Sequence, residues 1–414
     1  MITKYRPYLI YKNKKLHFDN INLQALTKKH STPFYIYSSN LLVENYLNFY
    51  NAALENNVSS PLICFALKSN SNHHFLNVLA QLGCGADIVS GGELKAALAA
   101  GISGDKIVFS GVGKTADEIE LGLKSNLRAF NVESVEELEM INDLAKKSKK
   151  VARVAFRLNP EVHAKTHKHI STGNKTHKFG MLIEDVLNLK AKLKKLTSIK
   201  VVGMSIHIGS QLTCLKATKK AIARMCSCAL HFKETIEFLD VGGGLGIDYN
   251  FYDQPKIPSI SEYMHMVQKV IQKKYLSLHP CKLQTLFEPG RIIAAKSGIF
   301  VTSVIREKKS RDYRFIIVDG GMNDFIRPTL YSAYHEILSN ELSSQKLSSA
   351  DVVGPICETS DCFATNRKLP PMKEGQLLTI CDTGAYGASM ASTYNSRPLV
   401  SELMIEASGK VVKV

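Results

Sequence analysis

The residues most able to do chemistry stand where apolar runs end. Cys64–Asn72 reads CFALKSNSN, a lysine closing a strand-like segment. Most such lysines only carry their charge out to water along an apolar stem. Partly desolvated, however, Lys68 becomes an amine able to attack a carbonyl and form a Schiff base. His207-Ile-Gly-Ser-Gln211 closes a second run. Its imidazole is either structural or a flat face for a planar ligand, with Ser210 within reach of a phosphate. Asp240–Ile247 reads DVGGGLGI, and its successive glycines let backbone N–H groups approach an anion. A plain tight turn is the other reading. It is not a dinucleotide fingerprint, because Tyr249 takes the place of the last glycine. Glu288-Pro-Gly-Arg291 closes a third run with a carboxylate and a guanidinium three apart, usually a local ion pair. In a pyridoxal-phosphate site Glu288 would keep the pyridine nitrogen protonated, and Arg291 would fork a substrate carboxylate.

Two tempting motifs lead elsewhere. Gly111–Thr115, GVGKT, lacks the glycine that a P-loop needs at position 108, where valine stands. The segment His163–His177 carries four histidines at irregular spacing. Without carboxylates beyond Glu161 it reads as a loop over the site, and no metal is expected.

Further along lie Asp319–His335 (DGGMNDFIRPTLYSAYH), Cys357–Asp361 (CETSD) and Gly384–Pro398 (GAYGASMASTYNSRP). Arg327, Tyr331, Glu358 and Tyr386 are groups suited to grip a zwitterion, although each alone is more often structural.

The elements that must position these residues alternate. Strand-like runs at Leu62–Leu67, Ala86–Val89, Lys106–Phe109, Arg128–Val132, Ala152–Leu158, Val201–Ile208, Glu237–Val241 and Leu283–Phe287 are separated by amphipathic segments. Such alternation makes parallel βαβ units, and eight of them close a (β/α)8 barrel. The strand ends then read Lys68, Ser90, Ser110, Asn131, Asn159, His207, Gly242–Gly244 and Glu288. All belong to the C-terminal rim, where barrels house their chemistry. After Arg291 the pattern turns to strands with few helices. The expected α/β architecture is therefore a barrel over 34–288, with 1–33 plus 289–414 forming a mostly β domain that takes in the N-terminal arm.

Composition narrows the class. The 414 residues are 45% hydrophobic and 22% charged, as in a globular protein. No apolar run suits a membrane span or a signal peptide. Nine scattered cysteines suggest reduced thiols in a cytoplasmic protein. The net charge of +16 raises nucleic acid as a partner, but no aromatics interleave with Lys146–Lys150 or Lys190–Lys195. Those runs read as solvated helix faces, and no nucleic-acid partner is expected.

From about Pro33 to Arg397 the motifs, in order, resemble the alanine racemase-like, fold-type III pyridoxal-phosphate decarboxylases. FIRPTLYSAYH, CETSD and GAYGASMASTYNSRP are similar to the diaminopimelate branch. The resemblance implies conversion of meso-2,6-diaminopimelate to L-lysine and CO2, the last step of lysine biosynthesis. It implies that Lys68 carries the cofactor and Cys357 protonates Cα. His207 would stack on the ring, and Glu288 would pair with its nitrogen. Ser210, Gly243, Gly244, the backbone of Glu288, Pro289, Gly290 and Arg291, and Tyr386 would hold the phosphate. Arg291, Arg327, Tyr331 and Tyr386 would serve the substrate, the first three at its distal carboxylate, with Glu358 at its distal ammonium. In this family Cys357 and Glu358 serve the partner subunit's site, which implies a homodimer. Thr359-Ser360 depart from the family's usual Ser-Gly beside that cysteine.

A decarboxylase for a basic amino acid or a carboxylated polyamine is the nearest rival, and Arg327 argues against a purely cationic distal end. A regulator that had lost its chemistry should lack Lys68 or Cys357; both are present.

Overall fold

The computed structural model describes residues 6–162, 178–250 and 257–414. The His163–His177 segment therefore lies outside the described residues. The chain divides into two units, one of Tyr46–Ile247 with Pro255–Ile292, the other of Met1–Asn45, Asp248–Gln254 and Ile293–Val414.

The first unit is the expected barrel. Its parallel strands are Pro61–Ala66, Gly85–Ile88, Ile107–Phe109, Ala129–Val132, Ala152–Asn159, Ile199–Ile206, Phe238–Asp240 and Gln284–Phe287. They neighbour one another in chain order, and the last pairs back onto the first through Thr285 opposite Pro61. Parallel strands covered by helices are buried on both faces, so they read as continuous apolar runs. Cys64, Val108, Ala129, Ala155, Val202, Phe238 and Leu286 fill the barrel.

Side-chain caps start the surrounding helices. Asn72, Ser90 and Ser134 accept from the first-turn amides of His73–Gln81, Gly91–Ala99 and Val135–Lys147. Thr115 with Glu118, and Ser259 with Glu262, form complete capping boxes. Leu215–Ala229 and Ile260–Ile271 are helices the sequence reading did not single out.

In the second unit a mixed sheet runs in the order Cys362–Leu369, Ser348–Val353, Tyr313–Val318, Gly298–Ser310, Phe34–Ser38, Ser401–Ile405, Val411–Lys413. Phe34–Ser38 pairs with Gly298–Val301 on one side and Ser401–Ile405 on the other. Its five residues are all buried, and these two pairings put the run in the β unit rather than at the barrel's entry. Ser401–Ile405 and Val411–Lys413 pair antiparallel as a hairpin. A small meander, Leu9–Lys12, Lys15–Phe18 and Ile21–Asn22, lays Leu9, Leu16 and Phe18 onto the core beside Ile36, Ile299 and Leu403.

Candidate active site

Lys68 sits in a single helical turn, Leu67–Ser69, immediately after the first barrel strand. Its Nζ lies 2.8 Å from Asp87 Oδ2, on the neighbouring strand. Asp87 is fully buried, whereas the lysine side chain is 38% exposed to the rim. The amine is thus ion-paired as an ammonium with a buried carboxylate. It must pass on a proton before it can attack a carbonyl.

Because the last strand pairs with the first, Glu288 comes back beside this turn. The Pro289 carbonyl accepts from Ala66 N at 3.1 Å, and Gly290 packs so closely on Ser69 that a Cβ would stand 3.0 Å from its side chain. Glu288 is 6% exposed, with Oε1 3.4 Å from Asn131 Nδ2 and Oε2 3.8 Å from His207 Nδ1. Burial, with the negative charges of Asp240 and Asp87, pushes its carboxyl well above the usual range; Lys68 pulls the other way. Asp240 is also fully buried, and burial raises it to about 6 while Glu288 shares a hydrogen bond with it. Together the two carboxyls titrate as a pair.

His207 is neutral. Burial first, then the cations Lys68 and Arg157, push its pKa well below the ordinary value. Its Nδ1 accepts from Gly243 N at 3.3 Å, so the ring hydrogen is on Nε2 and the approach to Glu288 is not an ion pair.

The glycine run is zipped to the histidine loop. Leu212 N donates to the Gly244 carbonyl at 2.8 Å, and the Gln211 amide bonds Ile247 O at 2.6 Å and Ile247 N at 3.2 Å. A Cβ on Gly243 would overlap the Glu288 carbonyl oxygen. Gly244 has a φ of +99°, where any side chain is strained. Arg291 Nη2 donates to Ser210 Oγ at 3.1 Å, so these two predicted residues meet directly.

Behind the rim lies a polar network that the sequence did not reveal. Arg157 pairs with Glu133 at 2.7 Å, and Glu133 also accepts from Gly111 N at 2.8 Å and Gly180 N at 3.0 Å. Lys114, the lysine of GVGKT, is fully buried against Glu137 at 2.7 Å and donates to the Asn131 carbonyl at 2.8 Å. It braces Asn131, whose amide reaches Ser110 Oγ and Glu288. For Arg157, a charged residue inside the buried strand Ala152–Asn159 was the available signal; Lys114 carried none.

In the other unit Arg327 is 5% exposed, with its guanidinium 5.5, 5.8 and 5.9 Å from the rings of Tyr249, Tyr331 and Tyr386. Three electron-rich faces are favourable surroundings for a buried cation. Cys357 and Glu358 stand instead on an exposed loop. Asp361 pins that loop by accepting from Met322 N and Ile356 N, both at 2.7 Å. Glu358 accepts from Tyr394 OH at 2.6 Å, and Cys357 N donates to Asn395 at 3.1 Å.

Residues 46–295 match the sequence profile of the pyridoxal-dependent decarboxylase family, pyridoxal binding domain. The chain is 42% identical to a diaminopimelate decarboxylase of Zymomonas mobilis over 400 residues, 96% of this chain and 93% of that one. Among solved structures, diaminopimelate decarboxylase from Helicobacter pylori complexed with L-lysine superposes with a TM-score of 0.88 at 41% identity, covering 95% of each chain. The M. jannaschii enzyme in co-complex with L-lysine gives 0.91 at 35% identity, covering 99% of this chain and 94% of that one. The chain belongs to the diaminopimelate decarboxylases, within the pyridoxal-dependent decarboxylase family.

The barrel rim of this decarboxylase fits pyridoxal phosphate on its own chemistry. Lys68, Glu288, His207 and the glycine run supply an amine, a carboxylate, a flat neutral ring and an anion cradle on consecutive or adjoining strand ends. The buried carboxyls Glu288, Asp240 and Asp87 outnumber the amine they face, a setting that favours a protonated ring nitrogen. Asp87 Oδ1 and Asn131 Oδ1 are buried there without a hydrogen-bond partner among the described residues.

Proposed function

We propose that the chain converts meso-2,6-diaminopimelate to L-lysine and CO2 as the last step of lysine biosynthesis, using the residues below. The observation that carries the substrate is the buried Arg327 in a chain so similar to diaminopimelate decarboxylases. A guanidinium is suited by its planar fork to a carboxylate, and a diaminodicarboxylate brings one at the end remote from the reaction.

Lys68 holds the cofactor through its amine, and Asp87 takes up the proton the ammonium must release. His207 supports the ring face, and Glu288 pairs with the ring nitrogen. Gly243, Gly244, Ser210 and the backbone of Glu288, Pro289, Gly290 and Arg291 receive the phosphate, with Tyr386 adding a hydrogen bond. The bound cofactor supplies a sink for the electron pair left when CO2 departs. Arg291, Arg327 and Tyr331 bind the distal carboxylate and Glu358 the distal ammonium, so binding energy from the remote end orients the reacting end. Cys357 delivers the proton to Cα.

The exposed CETSD loop supports a homodimer in which Cys357 and Glu358 serve the partner subunit's site. The nine free thiols, three of them exposed, favour the cytoplasm. No helix among the described residues is long and apolar enough to cross a membrane.

The test is CO2 release from meso-2,6-diaminopimelate, ornithine, arginine and carboxynorspermidine, with and without pyridoxal phosphate. Cofactor-dependent release from the first alone is expected. Equal or faster release from ornithine, arginine or carboxynorspermidine would assign the chain a cationic substrate instead.

A further inference from the structure

Arg327 has a partner that neither the sequence motifs nor the reaction calls for. Its Nε donates to His335 Nε2 at 3.3 Å. The other ring nitrogen of His335, Nδ1, lies 2.8 Å from the carbonyl oxygen of Cys381. A carbonyl oxygen only accepts, so Nδ1 carries the hydrogen. A neutral imidazole has one N–H, which leaves the lone pair on Nε2, where the arginine N–H requires it. The two contacts specify the same tautomer. An imidazolium would set an N–H against the N–H of a cation.

The ring is held in place as well as in this neutral tautomer. His335 is fully buried, with its centroid 4.8 Å from that of Tyr249 and 4.7 Å, edge-on, from that of Phe325. Tyr249 in turn is fixed through its carbonyl, which accepts from Arg6 Nη2 at 3.1 Å. The same arginine pairs with Asp382 at 2.6 Å, the residue next to Cys381. Tyr249 thus touches both members of the pair, one as a tilted ring and the other as a cation over its face.

A guanidinium grips a carboxylate in two planar ways: side-on through Nε and one Nη, or end-on through both Nη. The His335 bond takes Nε out of the first. We propose that His335 is a positioning residue that fixes Arg327 for end-on capture of the substrate's distal carboxylate, and so helps to set the preference for a dicarboxylic substrate. The inference rests on the assignment of Arg327 under Proposed function.

The holoenzyme provides the test. His335→Phe keeps a ring between Tyr249 and Phe325 but removes both nitrogens. It should raise the KM for meso-2,6-diaminopimelate roughly 10- to 100-fold, the range for a lost hydrogen bond to a charged group, while kcat changes by less than about threefold. The inhibition constant of L-lysine, which retains that carboxylate, should rise by the same factor. His335→Gln, which keeps an acceptor and a donor, should restore most of the loss. A His335→Phe enzyme whose KM and lysine inhibition stay within about twofold of the parent would overturn the proposal. So would folded His335→Gln enzyme that recovers nothing. Should neither variant fold, neutron diffraction from crystals of the parent holoenzyme decides: deuterium on Nδ1 and none on Nε2 supports the assignment, and deuterium on Nε2 refutes it. Absence of CO2 release by the parent enzyme would instead refute the substrate assignment, leaving the tautomer to be read separately.

Discussion

Lys68 and Asp87 form a 2.8 Å ion pair across adjacent barrel strands, the lysine half-open to the rim and the aspartate fully buried. The pair solves a problem that burial alone would not. An amine sheathed in apolar groups would be neutral but poorly oriented, whereas a carboxylate at the neighbouring strand end both aims it and accepts its proton. Asp87→Asn keeps the shape and removes the acceptor. Cofactor loading, followed by absorbance, should slow by about 100- to 10,000-fold, the range for one general-base contact. Loading at the parental rate would show that Asp87 is structural.

Glu288 and Asp240 make stability depend on pH. Both carboxyls are raised in the folded state, Asp240 to about 6 from an ordinary 3.8. A group raised on folding contributes stability below its unfolded pKa and loses it as pH rises through the folded value. The apoenzyme should therefore lose stability across about pH 4 to 6 and above, relative to Asp240→Asn. Thermal unfolding of the two apoproteins over that range measures the difference. Parallel curves would contradict the pairing.

Lys114 illustrates what could and could not be read from the chain. The missing glycine at 108 correctly excluded a P-loop, but nothing in GVGKT said that its lysine is buried against Glu137. Lys114→Met strands the Glu137 carboxylate and should cost about 3–5 kcal/mol, measurable by denaturant unfolding. Adding Glu137→Gln should recover part of that loss.

Arg6 closes on Asp382 and the Tyr249 carbonyl in the β unit. Arg6→Ala leaves a fully buried aspartate unpaired, again at a cost of about 3–5 kcal/mol. Arg6→Ala with Asp382→Asn should be less destabilised than Arg6→Ala alone.

The barrel was legible because strands buried on both faces appear as unbroken apolar runs, and because their last residues switch to polar types. Lys68, His207 and Glu288 stood out for that reason. Asp87, Asp240 and Arg157 did not, since each lies within or at the end of an apolar run and its meaning depends on a neighbour distant in sequence. The strands Ser348–Val353 (SSADVV) and Cys362–Leu369 (CFATNRKL) were hidden by exposed polar positions on their open face. Leu215–Ala229 was obscured because its buried stripe has only Ile222 and Met225 as large apolar residues, beside Thr218, Ala221, Ala229 and two cysteines. His335 looked like the end of a motif, and its contact with the Cys381 carbonyl, 46 residues on, could not be read from the chain.

The central claim is that Lys68 holds the cofactor whose ring nitrogen meets Glu288. Borohydride fixing of the bound cofactor, followed by peptide mapping, tests its first half directly. The label should appear on the lysine of CFALKSNSN and vanish in Lys68→Ala. A label on any other lysine, or none in cofactor-saturated enzyme, would contradict the account.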